Sequence, residues 1–355
     1  MFRELVVVET AGVLAGPSVG LFFAELGARV IKLENRRTKG DVTRSWKLPS
    51  EDPDSPVSAY FSSVNLHKEH RLVDLTDPAF REERDALLAQ ADVLITNHLD
   101  EDAEKLGLGR ERLRTLNPRL VHGHIRGYMH DRERPAYDVV LQAESGYIAM
   151  TGADTEHPAK LPVAMIDILA GHQLKEGLLL ALLQRERTGQ GAYVEVSLEE
   201  AALTGLINQA SNWLMAGHLA QPIGTLHPNI APYGEVFPCA DGLRLVLAVG
   251  SDRQFRALCL ALDLPLVPDL PAFLTNAVRV VNRHQLAATL APRIAGFTRA
   301  ELLKTLSAVQ VPAGAVNTMA EALSTPAAKG LLRESLIDGQ RTLRLSGNAF
   351  RIEDP

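Results

Sequence analysis

Residues 5–35 read LVVVETAGVLAGPSVGLFFAELGARVIKLEN, and this stretch decides the fold. Leu5 to Glu9 is a short run rich in β-branched residues, which favours a strand buried on both faces. Gly12, Gly16 and Gly20 follow, with Pro17 placed for the first turn of a helix that runs to Leu26. Ala28 to Glu34 then reads as a second strand. Strand, glycine-containing turn, helix and strand in that order make a βαβ unit of a parallel sheet.

The alternation continues outward from this unit. Strands are expected at Arg71–Leu75, Val93–Thr96 and Leu120–Ile125, with a charged helix at Pro78–Ala91 and another ending at Asn117-Pro118. Leu174 to Arg187 carries leucines all round and predicts a buried helix, stopped by Gly189 and Gly191. Ala192 to Val196 is another strand, and Ser197 with Glu200 predicts the capped start of a helix reaching about Met215. After Gly217 the texture changes. Pro222, Gly224, Pro228 and Pro232 punctuate a loop, Asp241-Gly242 marks a hairpin between Glu235–Phe237 and Leu243–Val249, and Thr298 with Glu301 forms a second capping box. Thr342 to Ile352 reads as a final strand pair or an extended arm. The expectation is an α/β chain: a Rossmann-like doubly wound parallel sheet built from 1–222 plus 330–355, and a smaller α+β domain at 223–329.

Composition sets limits. A chain of 355 residues exceeds what one compact core usually holds, and 46% hydrophobic with 23% charged residues is globular in character. Thirty-seven Lys and Arg against 43 Asp and Glu leave a net charge of −6, so no bulk positive field gathers nucleic acid. The two cysteines, Cys239 and Cys259, build no disulfide framework or metal site and suit a reducing compartment. No signal peptide and no apolar run of about 18 residues is read, so neither a membrane nor export is expected; the location expected is cytoplasmic.

Few residues carry a chemical signal. The glycines after the first strand could bring backbone N–H groups to an anion, or simply make a tight turn; their spacing is not G-x-G-x-x-G. Glu34 ends the second strand, where it is followed at once by Arg36, Arg37 and Lys39, a cluster suited to a phosphorylated ribose or to plain solvation. His122 and His124 have no evident third ligand, and no H-E-x-x-H, Cys-x-x-Cys or G-x-S-x-G motif is present, so no metal site or serine hydrolase is expected. In PVAMIDILAG (162–171) a lone carboxylate, Asp167, stands in an apolar stretch just ahead of the hydrophobic helix. It is either a helix cap or paired core acid, or a desolvated carboxylate available as nucleophile or base.

Taken in order, VLAGPSVGLFFAELGARVIKLEN (13–35), DVTRSW (41–46), SAYFSSVNLHK (58–68), ADVLITN (91–97), AYDVV (136–140), Asp167, LLALLQRERTGQGAYVEVSLEEA (179–201) and VPAGAVN (311–317) resemble the class III CoA-transferase family, also called the CaiB/BaiF family. The resemblance implies an interlocked homodimer whose Rossmann-like domain binds coenzyme A and whose nucleophile is an aspartate, here Asp167. It carries CoA contacts over to Leu14, Ala15, Asn35, Arg36, Val73, Leu75, Thr76, Asn97, His98, Lys105 and Ala136, with Tyr137 and Asp138 lining the thioester site and Tyr60 and Trp46 shaping the acyl pocket. The implied reaction moves CoA from an acyl-CoA to a carboxylic acid through an aspartyl mixed anhydride and an aspartyl-CoA thioester; CoA enters as substrate, with no permanently bound cofactor.

Two departures bear on substrate. The family's racemases place a histidine before the aspartate of AYDVV, whereas this chain has Tyr137, a phenol with a reference pKa of about 10 and a poor base at neutral pH. Residues 225–233, TLHPNIAPY, lack the glycine run of the oxalate and formate transferases, and Leu14 stands where that branch carries glutamine, which speaks against those two acceptors. The alternatives are a 2-methylacyl-CoA racemase-like enzyme and a CoA-binding subunit without catalysis; a nicotinamide dehydrogenase is more distant.

Overall fold

The computed structural model describes residues 2–353. The chain forms two compact units, one of residues 1–148, 160–216 and 326–355 and the other of residues 149–159 and 217–325. The second unit therefore also takes in 149–159, which the sequence reading gave to the large domain. The physical reason is a small turn closed by an antiparallel bridge between Gly152 and Pro158, to which the Gly224 N–H is hydrogen-bonded at 2.9 Å.

The first unit is built on six strands: β1 (Val6–Glu9), β2 (Arg29–Asn35), β3 (Glu69–Val73), β4 (Val93–Thr96), β5 (Val121–Arg126) and β6 (Ala192–Ser197). Every pairing is parallel, and the spatial order is β3-β2-β1-β4-β5-β6. This is the doubly wound order, in which the direction of winding reverses between β1 and β4. Strands β4 and β5 are buried along their whole length, as both faces are covered. On one face the first helix, Ala15–Glu25, and the long helix Met165–Thr188 pack with Val7, Val30, Ile95 and Ile125. On the other, Val8, Ile31 and Leu94 pack with Leu88 and Leu113 of the helices Arg81–Gln90 and Arg110–Leu116.

Boundaries differ from the sequence reading where tertiary contacts decide them. β3 starts two residues early, in register with Ile31–Asn35 of β2. The helix after Ser197 breaks into Leu198–Gly205 and Ile207–Ala216, with Ile207 at φ +38°. The final strand pair is the antiparallel hairpin Leu332–Ile337 and Gln340–Leu345. Its Ile337 closes a small core with Leu21, Phe61 and Leu66. The second unit holds a three-stranded antiparallel sheet, Tyr233–Pro238, Arg244–Ala248 and Ala313–Ala315, over its own core of Phe255, Leu258, Leu290 and Leu302. The Thr298–Glu301 capping box is formed there. No helix among the described residues is long and apolar enough to cross a membrane.

Candidate active site

A cavity of about 220 Å³ lies at the carboxyl ends of the central strands. Gly12 and Val13 after β1, Asn97 and His98 after β4, and Gly127 after β5 line it together with Asp167. This is the crevice that an open parallel sheet leaves where its winding reverses.

Asp167 sits in the first turn of the helix Met165–Thr188, which begins nine residues before the leucine-rich segment that announced it. The residue is only 6% exposed, and among the described residues its carboxylate accepts no hydrogen bond and makes no ion pair. Burial first, and the neighbouring Asp138 charge second, push its pKa up to about 7. Those two effects outweigh the attraction a helix N-terminus offers an anion. The cap reading for Asp167 is corrected: the cap is Asp138, whose Oδ1 accepts the Ile166 N–H at 2.7 Å and the Asp167 N–H at 3.4 Å. Gln142 Nε2 donates to the other Asp138 oxygen at 2.5 Å, holding the cap in place. Gly171, one turn beyond Asp167, lets the two long helices approach, since a Cβ there would lie 2.5 Å from Ser18 Oγ and 3.1 Å from the Ala15 carbonyl.

The loop from β1 to the first helix is fastened on both sides. Asn97 accepts from the Gly12 N–H at 3.1 Å and donates to its carbonyl at 3.0 Å. The Val13 N–H donates to the Asp41 carboxylate at 3.2 and 3.4 Å. Val13, a β-branched residue, adopts φ +70°, a conformation that costs on the order of 1–3 kcal/mol. The glycines serve differently than the sequence suggests. Gly16 and Gly20 allow close packing, for a Cβ on either would meet Ala11 or Glu9. Ala15 and Gly16 start the helix without any side-chain cap among the described residues.

Beneath this loop lies a buried ionic cluster. Lys32 Nζ reaches Glu9 at 2.9 Å, Asp41 at 3.2 Å and the Ala11 carbonyl at 2.7 Å. Lys68 Nζ reaches Glu9 at 2.8 Å and Asn65 at 2.9 Å. Burial lowers the Lys68 pKa to about 8, whereas Lys32 is raised because Glu9 and Asp41 overcome its burial. Glu34 pairs with Arg44 through two 2.7 Å bonds and accepts the Asp41 N–H at 2.9 Å. Glu34 is thereby held well below the usual carboxylate range, the Arg44 and His70 bonds outweighing burial.

Trp46 and Tyr60 meet edge to face at 5.1 Å between ring centroids, and Trp46 lies 6.5 Å from Tyr137. The Tyr60 phenol is pushed up to about 12, by burial and then by Asp167, Asp138 and Asp41, which places it among those acids. Tyr137 lines the cavity; Asp138 faces the helix instead.

Of the residues nominated for CoA, Ala15, Asn97, His98 and Ala136 line the cavity, and Leu14 is the residue before the first helix. His98 Nε2 lies 2.9 Å from Thr10 Oγ1, and burial lowers its pKa to about 4. A second group gathers at the ends of β2 and β3. Asn35 Oδ1 accepts the Arg37 N–H at 2.9 Å, Arg36 donates to the Leu72 carbonyl at 3.0 Å, and Thr76 accepts from Arg37 at 3.0 Å. Val73 and Leu75 there pack against the core. Lys105 joins neither group; it is exposed and paired with Glu101 and Asp102 of its own helix at 3.4 Å. His122 and His124 share the Thr96 hydroxyl at 2.9 and 2.7 Å and are kept neutral by burial. No metal-binding group occurs among the described residues.

The sequence reading missed three arginines that line the cavity. Arg126 pairs with Glu195 and Asp100, Arg132 with Asp100 at 2.7 Å, and Arg134 with Glu144 at 2.5 Å while lying over the Tyr128 ring. Arg132 and Arg134 stand in GYMHDRERPAYD, residues 127–138, alternating with Asp131 and Glu133 just before the AYDVV motif, and Arg126 directly precedes that stretch. Asp41 was the other omission, a buried acid opening DVTRSW.

The profile of CoA-transferase family III matches residues 2–353. The succinate–glutarate CoA-transferase of Agrobacterium fabrum is 35% identical over 98% of this chain and 90% of its own length. The acetyl-CoA:oxalate CoA-transferase of Acetobacter aceti is 33% identical over 94% and 86%. The crystal structure of a CaiB/BaiF family protein from Brucella suis superposes with a TM-score of 0.83 at 35% identity, covering 99% of this chain and 92% of that one.

Proposed function

The chain belongs to CoA-transferase family III, and from that premise we propose that it moves CoA from an acyl-CoA to a carboxylic acid with Asp167 as nucleophile. The observation that carries this reading is a buried carboxylate without a hydrogen-bond or ion-pair partner among the described residues, lining the cavity at the switch point of the sheet. A carboxylate tied into an ion pair would be a poor nucleophile; this one keeps its lone pairs.

The reaction balances without any net proton. Asp167 attacks the acyl carbonyl, the C–S bond breaks, and CoA thiolate leaves an aspartyl mixed anhydride. The thiolate then attacks the aspartyl carbonyl, expelling the donor acid as a carboxylate and forming an aspartyl-CoA thioester. The acceptor carboxylate displaces the thiolate to give a second anhydride, and the thiolate takes the acceptor acyl group, regenerating Asp167. Each intermediate is an activated acyl group, so no step forfeits the thioester energy. The N–H groups at the uncapped start of the helix Ala15–Glu25, whose first residue lines the cavity with Asp167, suit the tetrahedral oxyanions. The protonated Tyr60 phenol adds an O–H donor nearby. Water must be kept from the anhydride, a task suited to the ring cluster of Trp46, Tyr60 and Tyr137.

The acids are read as dicarboxylic. Relatives named for succinate with glutarate and for oxalate act on that class, and the guanidinium N–H groups of Arg126, Arg132 and Arg134, ion-paired though they are, suit a second carboxylate at the cavity wall. We read the CoA phosphates onto the Asn35–Arg36–Thr76 group. A second copy of the chain is read as covering the exposed apolar residues Leu180, Ile207, Leu214 and Met215, the last of them 87% exposed. A cytoplasmic location is consistent with two free buried cysteines.

Incubation with acyl-CoA and hydroxylamine is expected to leave a hydroxamate on Asp167, seen by peptide mass spectrometry. CoA transfer at the native rate by Asp167→Ala would sink the reading.

A further inference from the structure

The Asp41 carboxylate is buried, with a side chain only 2% exposed, and four groups converge on it. Lys32 Nζ lies 3.2 Å away, the Thr43 N–H and hydroxyl donate at 3.0 and 2.8 Å, and the fourth donor is the Val13 N–H. The first three hold Asp41 still. Its backbone is held too, because Glu34, clamped by Arg44, accepts the Asp41 N–H. A rigid acceptor is thus presented to one amide of the cavity loop, and that amide belongs to the residue in the conformation least natural to it, Val13 at φ +70°. Gly12, beside it, lies close to the same carboxylate: a Cβ there would be in ordinary van der Waals contact with Asp41 Oδ2 at 3.5 Å.

We propose that Asp41 is a positioning residue for the transfer reaction. It holds Val13 in the left-handed region and so fixes the wall formed by Gly12, Val13 and Ala15 opposite Asp167. This inference rests on the reading of the cavity as the reaction site, and it adds a residue that does not itself line the cavity but is bonded to Val13, which does. A β-branched residue needs an external hold to stay at positive φ, whereas glycine adopts that conformation unaided. The two possible roles of Asp41, neutralising Lys32 and holding Val13, therefore separate by substitution at residue 13.

The test measures kcat and KM for CoA transfer, with the melting temperature alongside, in Asp41→Ala, Asp41→Asn and the double variant Val13→Gly/Asp41→Ala. Asp41→Ala is expected to lose about tenfold in kcat, roughly the rate equivalent of one misplaced wall. Asp41→Asn keeps an oxygen for the Val13 N–H and should lose less. The double variant should recover most of the loss in kcat while its melting temperature stays as low as that of Asp41→Ala, since glycine cannot replace the partner of Lys32. Native kcat in Asp41→Ala, or no recovery in the double variant, overturns the proposal. Should Asp41→Ala not fold, Asp41→Asn with and without Val13→Gly reads the same recovery. Hydroxamate formation at Asp167 in the native protein, followed separately, tells a failure of the nucleophile from a failure of this device.

Discussion

Asp138 Oδ1 accepts the Ile166 N–H at 2.7 Å and stands 3.4 Å from the Asp167 amide, so one carboxylate caps the helix that carries the other. The same contact that orders Asp167 also raises its pKa, because the cap is an anion. Geometry and reactivity at the two residues are thus coupled.

The first prediction concerns pH. With burial and Asp138 holding Asp167 at about 7, kcat/KM should climb about tenfold per pH unit below that value and level off above it. Asp138→Asn keeps an oxygen for the Ile166 N–H but removes the charge, so the limb should move to lower pH. A pH–rate profile on both proteins checks this; an unmoved limb would remove Asp138 from the account.

Stability should follow the same group with a defined sign. A carboxyl whose folded pKa is raised favours folding below its unfolded value, near 4, and loses that contribution as pH climbs to about 7. Asp167→Asn has no such loss. Its stability relative to the native chain should therefore rise between pH 4 and 7, by up to about 4 kcal/mol, and stay level above. Urea unfolding at pH 5 and pH 8 measures the difference.

Gly171→Ala should disturb the site from beneath. The added methyl would sit 2.5 Å from Ser18 Oγ and 3.1 Å from the Ala15 carbonyl, forcing apart the helices that bring Ala15 and Asp167 to one cavity. A cost of about 1–3 kcal/mol is expected. Ser18→Ala added to it should recover part of the thermal stability, as it removes the nearest atom.

Glu9→Ala should be the most damaging substitution away from the cavity. It strips Lys32 and Lys68 of the carboxylate they share in a fully buried setting. Breaking such a pair costs about 3–5 kcal/mol. Thermal unfolding of Glu9→Ala beside Glu9→Gln checks it; equal midpoints for native and Glu9→Ala proteins would show the cluster to be dispensable.

Most of the large sheet was legible because its signals are local. β1, β2 and β4 carry runs of β-branched and apolar residues bounded by turns, and parallel order follows from the helices between the strands. The start of the Asp167 helix was not legible, since Ala164 offers no cap and the residue that does lies 28 positions earlier. Asp167 itself was found as the odd residue in an apolar stretch. Val13 was not, because no sequence rule assigns a positive φ to a valine that directly follows a glycine able to take it. Lys105 was nominated by position in a family pattern, whereas the acids three and four residues before it decide where its side chain goes. Arg126 ends β5 and Arg132 and Arg134 follow in the turn after it, and alternating arginines and acids in sequence do not say which way that turn runs.

The hairpin Leu332–Ile337 and Gln340–Leu345 has a consequence for how the polypeptide is made. Ile337 completes the small core around Leu21 and Phe61, and Arg344 pairs with Glu25 of the first helix. The opening βαβ unit precedes this hairpin in the chain, yet it cannot be finished until the hairpin has been made. Throughout translation of the second unit it must wait with that patch uncovered, a window in which chaperone capture and aggregation compete with completion.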